Sequence, residues 1–324
     1  MKATRQTILD RLATSRAPVS GDALATELGI SRTAVWKHVQ GLRSDGLSIA
    51  AVGGQGYLLR SDILVAEAIR DRFGATQPAR IGHDIEVLDE TDSTNLEILR
   101  RAEQGADEGL VIFAERQTQG RGRLSRQWHT FAGEALAFSL LLRPELPPQR
   151  IPEVPLVAAC GLYRAIAGFA PEVRLKWPND LLHEGKKLAG ILTEMRAEPG
   201  RVHALVVGIG LNVRAPAAGW PANITQPVTD LASAAGREMN RHDLAAACIL
   251  ELDRTYGQWL AEGFAPIRDA WWRAHAASGR RVRVHDGKGY IEGVASALDL
   301  DGALLLDTGK ETRRIIAGDL ELVA

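Results

Sequence analysis

The stretch Gln117-Thr118-Gln119-Gly120-Arg121-Gly122-Arg123, closed by Trp128, joins two apolar runs, Leu110 to Ala114 and Ala135 to Leu142. Apolar runs of about 4–8 residues bounded by turn formers have the length of buried strands, so the basic segment reads as a loop between strands. Its two glycines permit positive φ and close backbone approach. Arg121 and Arg123 add planar forks of donors shaped for phosphate or carboxylate oxygens. A phosphate cradle is one reading. A solvated basic turn, or a grip on nucleic-acid backbone, is the other, and the loop alone does not choose.

The chain has 324 residues, 45% apolar and 24% charged, with a formal net charge of -1, the balance of a soluble globular protein of two or three domains. The N-terminus runs into a charged amphipathic segment, and no run of about 18 apolar residues follows anywhere, so a cytoplasmic location without membrane association is expected. Cys160 and Cys248 sit in apolar helical runs and read as small buried hydrophobes. The 8 histidines show no metal-ligand spacing, so no structural metal site is expected.

The first sixty residues are more basic than the whole. Lys2, Arg5, Arg11, Arg16, Arg32, Lys37, Arg43 and Arg60 stand against Asp10, Asp22, Glu27 and Asp45. Ile8, Leu9 and Leu12 recur at helical spacing; Ser20 opens a second short helix that Gly29 ends, and Ser31 caps a third whose Val35, Val39 and Leu42 face inward. Ser31, Arg32, Thr33, Trp36 and Lys37 then fall on other faces. Helix, tight turn and helix can lay the second helix in a DNA major groove. Residues 46 to 60 alternate into a hairpin with a glycine-rich tip at Gly53-Gly54-Gln55-Gly56. The segment resembles a winged helix-turn-helix; the plainer reading is a small protein-interaction module. Residues 61 to about 80 are expected to form a linking helix before Pro78.

From Ile81 to about Gly279 strand and helix patterns mix, and a sheet backed by helices with loops gathered on one face is expected. Four segments there carry polar groups that a core would not choose. Thr91-Asp92-Ser93-Thr94-Asn95 precedes a helix, where capping is the plain explanation. Lys176-Trp177-Pro178-Asn179-Asp180 ends a strand at a proline. Lys186-Lys187-Leu188-Ala189-Gly190-Ile191-Leu192 begins a strand with two lysines. Gly208-Ile209-Gly210-Leu211-Asn212 leaves a strand end open to close approach.

Taken in order and spacing, Ser93-Thr94-Asn95, Gly120-Arg121-Gly122-Arg123, Lys176 to Asp180, Lys187 to Leu192 and Gly208 to Asn212 resemble the bifunctional biotin-protein ligase and biotin operon repressor family over essentially the whole chain. The resemblance implies an α+β multidomain fold. Residues 1–62 would be the winged helix-turn-helix, 63–279 a catalytic α/β domain similar to class II aminoacyl-tRNA synthetases, and 280–324 an SH3-like β-barrel. Short β-rich runs separated by Asp286-Gly287 and Asp301-Gly302 agree with the last.

The resemblance also implies a reaction. Biotin is activated by ATP and Mg²⁺ to biotinyl-5′-adenylate, and the acyl group passes to a lysine of the biotin carboxyl carrier protein of acetyl-CoA carboxylase. Ser93, Thr94, Asn95, Gln117, Gly120 and Gly122 would bind biotin together with Arg121, Arg123 and Lys187. These three cations, with Asp180, would be catalytic, because an anionic carboxylate must approach an anionic phosphate. Trp128, Lys176, Asn179 and Asn212 would contact the nucleotide, although either asparagine can instead hold loop backbone. Ser31, Arg32, Thr33, Trp36 and Lys37 would contact operator DNA, with the adenylate as corepressor and promoter of a homodimer. The family continues the loop as Arg-Gly-Arg after Arg123, and here it reads Leu124-Ser125-Arg126. A lipoate-protein ligase and a non-enzymatic ligand sensor are the rival readings. The ureido-matched polar set opposes the first, and the cationic trio opposes the second.

Overall fold

The computed structural model describes residues 2–323 except 16, 45, 46, 60, 61, 199, 200, 217 and 225. Arg16, Asp45, Gly46, Arg60 and Ser61 therefore lie outside the described residues. The chain divides into two compact units, residues 1–76 with 240–246, and residues 77–239 with 247–324.

In the first unit, α1 (Lys2–Thr14), α2 (Gly21–Leu28) and α3 (Arg32–Ser44) precede β1 (Ile49–Val52), β2 (Gly56–Leu59) and α4 (Ala66–Asp71). Local chemistry sets the boundaries. Ser20 Oγ accepts from Asp22 N, Gly29 ends α2 at φ 63°, and Ser31 Oγ accepts from Ala34 N at 3.1 Å. Ile8, Leu12, Leu24, Val35, Val39 and Leu42 close one core. β1 and β2 pair antiparallel from Ile49↔Leu59 to Val52↔Gly56. The expected linking helix is only the six residues of α4, because the chain turns at Gly74, which holds φ at 58°, before reaching Pro78. Residues 240–246 complete this unit: Arg241 Nη1 donates to Asp62 O at 3.1 Å, and His242 Nε2 accepts from Val65 N at 3.2 Å.

The second unit runs β3 (Ile85–Thr91), α5 (Thr94–Glu103), β4 (Val111–Gln117), β5 (Ala135–Leu142), α6 (Val154–Ala167), β6 (Val173–Lys176), β7 (Asp180–His183), β8 (Lys186–Glu198), β9 (Arg201–Asn212), α7 (Leu231–Ala235), α8 (Arg241–Glu262, whose first turn belongs to the other unit) and α9 (Ala265–Ala274). Seven strands make one sheet in the order β3-β4-β5-β9-β8-β7-β6, with only β3 and β4 parallel. All eight residues of β5 are buried, as its unbroken apolar sequence requires. Ile98 and Leu99 of α5 pack with Ile112, Leu141 and Val206. α6 is buried well beyond a single face, because it packs against β6, β7, β8 and α9. Asp253 of α8 ties the start of this unit by accepting from the N–H groups of Ala79, Arg80 and Ile81 at 2.7 to 2.8 Å. Cys160 and Cys248 are free and buried.

Residues 281–322 add β10 (Arg281–His285), β11 (Tyr290–Leu298), β12 (Leu304–Asp307), β13 (Thr312–Ile315) and β14 (Asp319–Leu322), an antiparallel sheet in the order β13-β12-β11-β10-β14. Val282 and Val284 point inward between exposed Arg281 and Arg283, the alternation of a one-sided sheet. Among the described residues the edge strands β13 and β14 are not paired to each other.

One buried imidazole links α9 to the turn after β6. His275 lies against the rings of Trp271 and Trp272 at 4.8 and 5.2 Å, and its Nε2 accepts from Trp177 N at 3.3 Å. Burial pushes its pKa down from 6.5 to about 3. Below pH 6.5 the unfolded chain takes up a proton that the folded chain refuses, so this stability is complete above 6.5 and is lost as the pH falls towards 3. From pH 7.5 to 5 the loss through this group is about 2 kcal/mol. Urea midpoints at the two pH values should show a flatter pH dependence in His275→Gln than in the unaltered protein; equal dependences would refute the assignment.

Candidate active site

The floor of the site is a place where side chains are missing. On β9, Val206 packs beneath α5, and the next two residues on that face are Gly208 and Gly210, opposite Leu192 and Gly190 of β8. A Cβ on Gly208 would stand 2.1 Å from Asn95 Oδ1, and one on Gly210 would stand 2.1 Å from Trp128 Cε2. Both distances are impossible, so bare backbone here is what admits α5's first turn and the ring of Trp128. Above this floor lies a cavity of about 620 Å³.

Its polar end is a hydrogen-bonded set rather than a helix cap. Ser93 is the N-cap of α5 by position, yet its side chain makes no capping bond. Thr94 N and Oγ1 donate to Gln117 Oε1 at 2.8 and 3.2 Å, and Gln117 Nε2 donates to Thr130 Oγ1 at 3.0 Å. Ser139 Oγ is 2.7 Å from Thr94 Oγ1 and donates to Asn95 Oδ1 at 2.6 Å. Asn95 Nδ2 donates to Glu194 Oε2 at 2.8 Å. Asn95 is therefore engaged at both ends of its amide by the protein itself.

The basic loop folds back on itself as a tight hairpin, with Trp128 N donating to Gly120 O at 2.9 Å and Gly122 N to Arg126 O at 2.8 Å. Leu124 and Ser125 hold φ at 54° and 60°. That is the left-handed region glycine favours, so Leu124 and Ser125 each adopt it at a cost of roughly 1–2 kcal/mol. The three arginines each meet oxygen. Arg121 Nη1 is 2.8 Å from Glu194 Oε1, Arg123 Nη1 donates to Asn179 Oδ1 at 3.1 Å and Nη2 to Gly318 O at 3.2 Å, and Arg126 pairs with Asp319. The C-terminal sheet thus touches the loop through the start of β14.

The opposite wall carries the lysines. Lys187 Nζ is 2.8 Å from Asp180 Oδ1 and 5.8 Å from the centroid of Trp128, and both members of the pair are mostly buried. Lys176 is also held in this wall, where burial lowers its pKa below the usual lysine value, opposed by Asp180. Trp177 Nε1 donates to Gly302 O at 3.1 Å. This bond and that of His275 fix the turn from which Asn179 and Asp180 project.

Ser93, Thr94, Asn95, Gln117, Arg121, Gly122, Arg123, Trp128, Lys176, Asn179, Asp180 and Lys187 all line this one cavity. Gly120 lies behind it, under the backbone of Trp128. Asn212 is outside the lining and donates to Thr229 O at 2.9 Å, which is the backbone-holding alternative. Sequence reasoning missed Ser139, Thr130, Glu194 and Asp319. A lone hydroxyl in an eight-residue apolar strand was the available signal for Ser139. In the first unit, Ser31, Arg32, Thr33, Trp36 and Lys37 are exposed, Trp36 by 51%.

Residues 85–212 match the model of the biotin/lipoate A/B protein ligase family, residues 4–58 a helix-turn-helix domain, and 277–323 the biotin protein ligase C-terminal domain. The chain is 37% identical to the bifunctional ligase/repressor BirA of Bacillus subtilis over 308 residues, 94% of each chain. It is 33% identical to that of Escherichia coli, over 94% of this chain and 92% of that one. Among solved structures, the biotin protein ligase of Aquifex aeolicus in complex with biotin and ATP superposes with a TM-score of 0.64 at 27% identity, covering 74% of this chain and 99% of that chain. This chain belongs to the bifunctional biotin ligase/repressor family.

Because the Trp128 ring rests on Gly210, a methyl group there must lift it and release the loop. Loss of a contact worth about 1.4 kcal/mol is tenfold in the open population. Trypsin should therefore cut after Arg121, Arg123 or Arg126 at least about tenfold faster in Gly210→Ala, with the global thermal midpoint little changed. An unaltered cleavage rate would contradict the anchoring role.

Proposed function

We propose that this protein activates biotin with ATP to biotinyl-5′-adenylate, transfers the biotinyl group to one lysine of a biotin carboxyl carrier protein, and represses biotin synthesis genes when it carries the adenylate. The observation that carries the reading is the meeting, in one cavity, of the Thr94–Gln117 polar end with Arg121, Arg123, Lys176 and Lys187. Biotin has a neutral ureido ring at one end and a carboxylate at the other, and the cavity's two ends have that chemistry. Ser93, Thr94 and Gln117 take the ring in this reading, while Asn95 holds them in place.

Adenylation forms a bond between a carboxylate oxygen and the α-phosphorus of ATP as pyrophosphate leaves. Arg121, Arg123 and Lys187 meet the anionic groups that this step crowds together. Trp128 covers the adenine face and Asn179 contacts the nucleotide, with Lys176 on the departing phosphates. Mg²⁺ suits this set as an ion arriving with ATP. Asp180 would give it a carboxylate oxygen, and the ion would neutralise phosphate charge. In transfer, the acceptor amine attacks the acyl carbon and AMP leaves; Asp180 would take the amine proton. Closure of the basic loop excludes water from the adenylate.

The same proposal assigns residues 1–62 to a winged helix-turn-helix, 63–279 to a catalytic domain of the class II aminoacyl-tRNA synthetase type and 280–324 to an SH3-like barrel. The exposed face of α3, with Ser31, Arg32, Thr33, Trp36 and Lys37, meets the operator. A homodimer formed with the adenylate supplies two half-sites in the cytoplasm.

Incubation with ATP, labelled biotin and a carrier domain should label the carrier lysine, and labelled lipoate should not; label from lipoate would overturn the substrate assignment. Lys187→Ala and Arg121→Ala should each slow adenylate formation at least about tenfold, the scale of one charged transition-state contact. Pyrophosphate release at the unaltered rate would remove either residue from the mechanism. In gel shift with biotin and ATP, Lys37→Ala should weaken operator binding while leaving carrier labelling intact.

A further inference from the structure

Glu194 lies on the floor face of β8, two residues beyond Leu192 and four beyond Gly190, and it bridges the polar set and the basic loop. One oxygen accepts from Asn95 Nδ2 and the other pairs with Arg121 Nη1, each at 2.8 Å. Asn95 is buried and is held from its other side by Ser139. Glu194 is thus the join between the network that reaches Thr94 and Gln117 and the first arginine of the basic loop. The sheet gives it no purely internal reason to carry a charge. An asparagine amide is satisfied by a neutral acceptor, and a half-exposed ion pair contributes little net stability.

Resting on the proposed function, we infer that Glu194 is a positioning residue, an internal anion that holds Arg121 over the cavity and yields it to the substrate carboxylate. Before the ligand arrives, Arg121 already has a carboxylate partner, so its guanidinium is kept at the site. Its side chain is 47% exposed and that of Glu194 22%, so the pair is open to exchange. When the substrate's carboxylate takes over, Glu194 keeps its bond to Asn95. The polar end therefore stays set while the cationic end changes partner. The opposing cost is that the incoming carboxylate must displace Glu194 from Arg121, and that cost makes the idea testable.

The test is calorimetric titration of the full chain, without ATP, with biotin and with biotinol, the neutral alcohol of the same skeleton. Glu194→Gln keeps the shape and an acceptor for Asn95 but removes the charge. The affinity for biotin relative to biotinol should rise at least about threefold in that variant. In an Arg121→Ala background, the same Glu194→Gln change should leave the ratio unmoved. A merely structural Glu194 would weaken both ligands alike, and an unchanged ratio would overturn the inference, as would a rise that persists without Arg121. Should Glu194→Gln fail to fold, Glu194→Asp draws the carboxylate back by one methylene, opens the Arg121 pair and should raise the ratio in the same direction; no rise overturns the inference. If the unaltered protein binds neither ligand, the biotin reading itself fails.

Discussion

The site depends on bare backbone at the centre of a close-packed sheet. Gly190 faces Gly210 across β8 and β9, and Gly208 follows on the same face. Next to them on the same face the Val206 side chain fills the space beneath α5, as packing density in a protein interior demands. Above the glycines the space is left for other chain segments, and Asn95 and Trp128 enter it. The first brings the start of α5 into contact with Ser139, and the second brings the basic loop down. Without the three glycines, neither the polar end nor the cationic end would have a floor on which to meet.

Charge balance follows from that geometry. Each guanidinium of the loop is already directed at oxygen: Arg121 at Glu194, Arg123 at Asn179 and Gly318, Arg126 at Asp319. Lys187 is held by Asp180. The partly exposed pairs of the loop, Arg121 with Glu194 and Arg126 with Asp319, contribute on the order of 0.2–1 kcal/mol each, too little to compete with a ligand that brings several phosphate oxygens. They are strong enough to orient the cations and weak enough to be exchanged. Asp319 and Gly318 also give the C-terminal sheet a direct hold on the loop, so a segment distant in sequence bears on the residues proposed to close over the adenylate.

Much of this was legible in the residues. The helix caps at Ser20, Gly29 and Ser31, the two strands flanking the basic loop, and the turn at Trp177-Pro178 are local signals that act over a few residues. The convergence of Thr94, Gln117, Arg121, Lys176 and Lys187 was legible only through ordered motifs, because tertiary contact has no local period. Ser139 and Glu194 were not seen for the same reason: each is one polar residue on a strand, and its meaning lies in what stands across the sheet. Asp319 reads as an ordinary turn acid until its partner Arg126 is known. The linking helix was overdrawn because the turn at Gly74 stops it.

The proposed chemistry joins a biotin carboxylate to the α-phosphate of ATP in this cavity. Exchange of labelled pyrophosphate into ATP measures that step alone, without carrier protein or DNA. Exchange should require biotin and should not occur with lipoate or with no acid. Exchange supported equally by lipoate, or none with biotin, would contradict it.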